Sequence, residues 1–477
     1  MLFPSVAFAV FLPLVFAAYW LAGTSRTRLQ NILLIVAGLV FYGWWDYRFV
    51  ALLLATTGFD YYAGLQLGRL TDERKRRIFF LASVFINLTA LCFFKYFNFF
   101  SENFAGLMRH VGWRVDAFTL DILLPIGISF YTFHSLSYVI DVYYRRTPAC
   151  RDASAFFAFI SFFPLLVAGP IVRAKWFLPQ FEQPRRFQDS HARDGLRQML
   201  WGFFKKMVIA DSCAPFVNKF FGHYDTQPAA NLVAGAILFT FQIYGDFSGY
   251  SDIAIGTSRL FGFSIPPNFH YPFFSRDIAE YWRRWHISLA SWFRDYLFTP
   301  LSLTFRHWER WGVALAMLIN FLLVGLWHGA SWTFVVWGGL HAAYFMPLIL
   351  FRRNMDNYGI PAEGKWLPSL RSILAMMLTF ALITFALIFF RAPDIHTAAG
   401  YVRHMVSAPW GTMTVERRTW LFIFIMLIAE WLQRDKIHPL QIESLRWRPL
   451  RWSVYFVLGL VTFYFGAQPQ TFIYFQF

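Results

Sequence analysis

A histidine stands in one of the most apolar stretches of the chain. Residues 320–334 read NFLLVGLWHGASWTF, which places His328 directly after Trp327 and three residues before Ser331. An ionisable group at bilayer depth is costly and faces a cavity or a partner rather than lipid. An imidazole there could take a proton from a hydroxyl, or it could be a structural ring with its hydrogen bonds satisfied. The residues leave both readings open. A second histidine, His341, follows in WGGLHAAYF. On one straight helix the two would be separated by roughly 20 Å of rise and would point to nearly opposite faces. A shared site therefore requires a break in that helix.

Two other stretches carry chemistry. FFSRDIAEYWRRWHISLASWFRDYLFTPL, residues 273–301, holds His286 and alternates Arg276, Arg283, Arg284 and Arg294 with Trp282, Trp285, Trp292 and Phe298. This pattern predicts a helix at the cytoplasmic interface, with snorkelling arginines and aromatic anchors. The alternative is that some of the guanidiniums hold an anionic cofactor. FQIYGDFSGYSDIAIGTSRLFGF, residues 241–263, places Asp246 and Asp252 among apolar residues, with Gln242, Tyr244, Ser248 and Ser251 nearby. Gly245 and Gly249 are four apart, the small-residue spacing of closely approaching membrane helices. Either the stretch is a hydrogen-bonded packing seam, or Asp246 and Tyr244 line a catalytic cavity. Histidine spacing of the His-x-x-x-His type is absent here, and Cys92, Cys150 and Cys213 lie far apart. Neither a metal site nor a disulfide framework is expected, and the cysteines read as small buried hydrophobes.

The elements that must position these residues are membrane helices. The chain has 477 residues, of which 57% are hydrophobic and only 15% charged. An ordinary soluble domain is about 25% charged. Candidate spans are 4–22, 30–46, 49–67, 78–98, 120–141, 153–170, 196–216, 230–257, 312–345 with a break left open, 371–391, 418–434 and 452–471. Each is near the ~20 apolar residues a helix needs to cross the hydrocarbon. The fold class is thus all-α and polytopic, a single unit over 1–477 with a motif-rich core at about 120–345 and C-terminal helices at 371–477. The opening segment lacks a basic n-region and reads as a retained first helix. The net charge of +16 falls in short loops such as GTSRTR, TDERKRR and YYRRTPACR. Such loops orient the protein and touch headgroups, and they place both termini outside. They do not indicate nucleic acid. Between 153 and 345, segments with Pro, Gly and charge could enter and leave by one side, as irregular backbone does where it lines a cavity. The longest outward loop is expected at 99–119.

The motif set resembles the membrane-bound O-acyltransferase family, in its bacterial branch that O-acetylates extracellular polysaccharides such as alginate. The resemblance rests on 241–301 and 320–345, with LPIGISFYTFHSLSYVIDVYYRR (124–146), FFPLLVAGPIVR (162–173) and the terminal FIYFQF. Two positions depart from the pattern: His134 stands where the branch often has Gln, and Leu165 where a polar residue often follows the Pro. The resemblance implies a ring of about 11 to 12 transmembrane helices, with re-entrant and interfacial helices, around a central funnel. It gives His328 the role of the essential histidine and His286 the second characteristic polar position. Chemistry then assigns His328 as general base, because burial favours the neutral ring. His286 would orient the donor or donate to the developing oxyanion. The implied donor is cytoplasmic acetyl-CoA, its phosphates held by Arg283, Arg284 and Arg294, with no metal. Asp246, Tyr244, Trp327 and Ser331 are candidates to line the cavity.

The acceptor implied is a polysaccharide hydroxyl outside the bacterial cytoplasmic (inner) membrane. It would be reached through a separate extracytoplasmic acetyltransferase partner, since no outward loop is large enough to grip a polymer. Three rivals remain: D-alanyl transfer from a carrier protein to teichoic acid, a transporter or flippase with a buried histidine, and a scaffold in a polysaccharide export complex.

Overall fold

The computed structural model describes residues 1–467, 470, 472 and 473. Every regular element among them is helical. Glu73–His110, Ala229–Leu260, Arg306–His328, Trp332–Leu350 and Leu370–Arg391 are long and apolar enough to cross a membrane, and Val6–Leu21 and Thr27–Gly43 are shorter apolar helices. Leu374, Met377 and Leu378 stand exposed along one of the long helices. Water would leave so large an apolar surface uncovered only at a cost, whereas lipid covers it. The molecule is a multi-pass membrane protein.

The chain divides into two compact units, residues 1–195 with 257–265, and residues 196–256 with 266–477. In the first, a buried carboxylate fastens three helices together. Asp60, on Arg48–Arg69, accepts hydrogen bonds from Ser83 at 2.5 Å and Asn87 at 2.9 Å on Glu73–His110, and from Ser135 on Ile128–Tyr143. A carboxylate so enclosed is held by the donors around it.

In the second unit, Glu309–His328 and Trp332–Leu350 form a helical hairpin. The sequence leaves a break open within the span expected at 312–345; the structure puts it at 329–331. Gly329 is fully extended, with φ −164°, and Ser331 caps the next helix by accepting the Thr333 amide at 3.3 Å. The two arms touch backbone to backbone. A Cβ on Gly325 would run into the Phe334 carbonyl, and one on Gly338 into that of Phe321.

The small-residue reading of 241–263 holds. A Cβ on Gly249 would stand 2.7 Å from the Gly202 carbonyl oxygen, and one on Gly245 2.8 Å from that of Lys205. That facing strand of contacts is itself irregular. Phe204–Ala210 is a π-helical segment, in which the Asp211 amide donates to the Lys206 carbonyl five residues back. Such bulges turn side chains that a regular helix would point elsewhere.

Four other expectations are corrected. Residues 153–170 are not one span but the short helices Ala153–Ile160 and Phe163–Leu166, interrupted before Pro164 and ended by Gly169–Pro170. The helix expected at 120–141 starts only at Ile128, after Pro125 and a left-handed Gly127 with φ 78°. The outward loop expected at 99–119 is largely helix, because Glu73–His110 runs on well past the predicted end at 98. The 273–301 stretch is not one interfacial helix. It is Ile278–Arg284, Ile287–Phe293, a π-helical turn Arg294–Phe298 and Thr299–Thr304, with Trp282, Trp285 and Trp292 buried rather than anchored in headgroups.

Candidate active site

His328 is the last residue of the first hairpin arm and is 3% exposed. Its walls are aromatic. Ring centroids lie at 4.9 Å for Trp327, 5.0 Å for Trp337 and 5.2 Å for Phe390. The break in the hairpin also resolves the pairing of histidines. His341 packs on the same Trp337, at 4.6 Å, and accepts at Nδ1 from the Trp282 indole at 3.2 Å. That bond fixes the His341 tautomer with its proton on Nε2. His341 thus supports the tryptophan that walls His328.

His286 is fully buried, between the two short helices of the 278–293 region. It packs on Phe247 at 4.5 Å and on Trp327 at 6.0 Å. Trp327 therefore touches both histidines, which are 42 residues apart in the chain. His286 has φ 42° and ψ 51°, a left-handed conformation costly for a residue with a side chain. Asn268 holds it there. Its carbonyl accepts the Ile287 amide at 2.8 Å, and its side-chain oxygen accepts the Ser288 amide at 3.1 Å and hydroxyl at 2.8 Å. Its amide group then donates to Ser251 at 3.1 Å. The sequence reading did not single out Asn268. Asn268→Ala is expected to cost about 1–3 kcal/mol in stability through the stranded donors. It should also lower kcat, with little change in KM for the donor, because the His286 turn relaxes. Thermal melting and acyl-transfer kinetics on one preparation check both.

The arginines divide. Arg284 is buried and pairs with Glu280 at 2.9 Å, donating also to the Gly359 carbonyl at 2.7 Å. Burial lowers its pKa and the Glu280 carboxylate opposes that shift. Arg283 donates to the Asn354 and Asn357 carbonyls at 3.0 and 2.7 Å. Arg276 pairs with Glu280 as well, at 2.9 Å. These three guanidiniums tie the 273–286 segment to 354–359. Arg294 is exposed and pairs, among the described residues, only with its neighbour Asp295 at 2.7 Å, so of the three expected phosphate ligands it is the one whose guanidinium is not tied to another segment.

The acidic residues of 241–263 are each paired with a buried lysine. Asp246 pairs with Lys206 at 2.7 Å, and Lys206 also bonds Asp211 at 2.7 Å. Asp252 pairs with Lys205 at 2.7 Å and accepts from Gln198 at 2.7 Å. Tyr244 donates to the buried Glu430 at 2.7 Å. Ser331 is the helix cap described above. The adjacent lysines in WGFFKKMVIAD were the available signal: two cations in an apolar span require acids on a facing helix. His134, in the first unit, accepts the Val172 amide at Nε2 over 3.1 Å and so holds the AGPIV turn. Among the described residues no group of three His, Cys, Asp or Glu could hold a metal ion.

Two buried histidines joined by one tryptophan, in a multi-pass helical protein, set titratable rings away from water. Residues 150–391 match the membrane-bound O-acyltransferase family. The chain is 37% identical to a probable alginate O-acetylase of Azotobacter vinelandii over 99% of its own length and 87% of that protein. It is 28% identical to a peptidoglycan O-acetyltransferase of Helicobacter pylori, over 98% and 95%. It is 29% identical to a teichoic acid D-alanyltransferase of Bacillus subtilis, over 57% and 69%. The chain belongs to the membrane-bound O-acyltransferase family, in its alginate-type branch, and is an acyltransferase.

Proposed function

We propose that both units act as one enzyme, which moves acetyl groups from cytoplasmic acetyl-CoA to hydroxyls of a polysaccharide outside the bacterial inner membrane, through an extracytoplasmic partner acyltransferase. The observation that carries this reading is His328, buried at the hairpin turn between Trp327, Trp337 and Phe390, inside the segment that matches the family.

His328 is the general base. The acceptor hydroxyl attacks the thioester carbonyl as the ring takes its proton. The C–O ester bond forms, the C–S bond breaks, and the proton passes to the departing CoA thiolate. His286, fixed by Asn268, faces the same tryptophan and orients the donor or donates to the oxyanion. The aromatic walls keep water from the thioester. Arg294 is the phosphate ligand we retain; Arg283 and Arg284 act structurally.

Acetyl is favoured over D-alanyl because similarity to the alginate relative covers nearly the whole chain, and similarity to the D-alanyltransferase little more than half. Membranes carrying the enzyme, the partner and the glycan, given labelled acetyl-CoA, should move label into partner and polymer. Label that moves only from a D-alanyl carrier protein would replace this reading.

A further inference from the structure

The first unit carries a cleft of about 1030 Å³ that the acyl-transfer reaction does not use. It opens where Arg48–Arg69 ends, Glu73–His110 begins and the 143–151 turn crosses between them. Arg69, Arg76, Arg145, Arg146 and Arg151 all line it, and no acidic residue does.

The cleft is built rather than a gap between loose loops. The Arg146 and Thr147 amides both donate to the Asp141 carbonyl, and Arg145 takes a left-handed φ of 57°. The Cys150 amide donates to the Tyr138 hydroxyl at 3.1 Å. Gly68 lets the turn come close, since a Cβ there would meet that of Ala149 at 2.7 Å.

Its charge is not balanced locally. Glu73 pairs with Arg76 at 2.7 Å and Arg145 at 2.9 Å, and Asp141 lies 3.6 Å from Arg146. Two carboxylates thus answer five guanidiniums. Arg76 is 2% exposed, and its Nε has no hydrogen-bond partner among the described residues. Arg76 also donates to the Tyr143 carbonyl at 2.6 Å and so braces the back of the cleft, while the exposed Arg69, Arg145, Arg146 and Arg151 are open to a phosphate oxygen.

We infer that this cleft binds the phosphate of an anionic phospholipid headgroup. The guanidiniums alone would suit a soluble phosphate compound equally. The place favours lipid: the cleft lies at the first turn of a helix of membrane-spanning length, and Leu67 and Val142 give it an apolar wall for the start of an acyl chain. Basic groups at that boundary attract anionic lipid.

The test uses the full chain, purified in detergent from vesicles of equimolar phosphatidylglycerol and phosphatidylcholine, with retained lipid measured by native mass spectrometry. Wild type should retain phosphatidylglycerol in preference. The variant Arg69→Gln/Arg145→Gln/Arg151→Gln, at three exposed side chains, should melt as wild type does and lose about tenfold or more of that retention. Arg74→Gln/Lys75→Gln/Arg77→Gln removes equal charge just outside the cleft and should retain the lipid. Equal retention of both lipids by wild type, or equal loss in the two variants, overturns the site. Inorganic phosphate is the second arm. If the cleft variant loses phosphate binding yet keeps its phosphatidylglycerol, the occupant is a soluble phosphate compound and the lipid assignment falls.

Discussion

His328→Gln is expected to abolish acyl transfer, with a loss of about 10²–10⁴-fold, while the protein stays folded and inserted. Glutamine keeps a polar side chain of similar size at the hairpin turn and removes the base. Alanine is a harsher test. It would leave a void among Trp327, Trp337 and Phe390, and truncating a buried ring typically costs about 3–5 kcal/mol. Lost activity in His328→Ala alone would therefore not separate chemistry from packing. Labelled acetyl-CoA, with wild type, His328→Gln and His286→Gln at matched membrane levels, makes the comparison. We expect His286→Gln to be impaired through donor orientation and His328→Gln to be silent. Transfer by His328→Gln at the wild-type rate would make the ring structural and move the general base to another residue.

Lys206→Met should be the most damaging substitution for folding outside the histidine pocket. Lys206 stands between Asp211 and Asp246, and all three are buried. Removing the cation leaves two carboxylates with no counter-charge, a change that typically costs about 3–5 kcal/mol. The damage should spread to the chain's end, because the Ile473 amide donates to Asp246 at 2.7 Å and the Gln470 carbonyl accepts from Lys206 at 3.2 Å. The expected readout is a lower melting temperature in detergent and a smaller monodisperse fraction on size exclusion. Neutralising all three, as Lys206→Met/Asp211→Asn/Asp246→Asn, should recover most of the lost stability, since the cost lies in the unanswered charge rather than in the missing contact. If the triple variant folds but transfers no acetyl, the cluster has a role in the reaction beyond packing. If Lys206→Met melts as wild type does, the carboxylates are not both charged and the ion-pair account fails.

The sequence by itself determined the membrane class, most of the helices and the two histidines. Apolar runs near 20 residues and a charge-poor composition leave little choice of solvent. Titratable rings in such runs stand out because lipid penalises them. The motifs around His286 and His328 also carried the family. What the sequence did not determine was which residues meet. Trp327 touches both histidines only because the chain returns on itself across 42 residues, and His328 reaches Trp337 on the other arm only because the helix breaks at Gly329. Periodicity assumes a straight element, so it set His328 and His341 on opposite faces. The arginines show the same limit. Composition marks Arg283, Arg284 and Arg294 alike, yet tertiary contacts tie two of them to carbonyls or to Glu280 and leave the third exposed. Nor does the sequence pair Asp246 with Lys206, which a π-helical segment brings against it. A charge pattern along one chain gives the sign of a group, but only the fold supplies its partner. In a low-dielectric interior the partner decides whether that group is structure or chemistry.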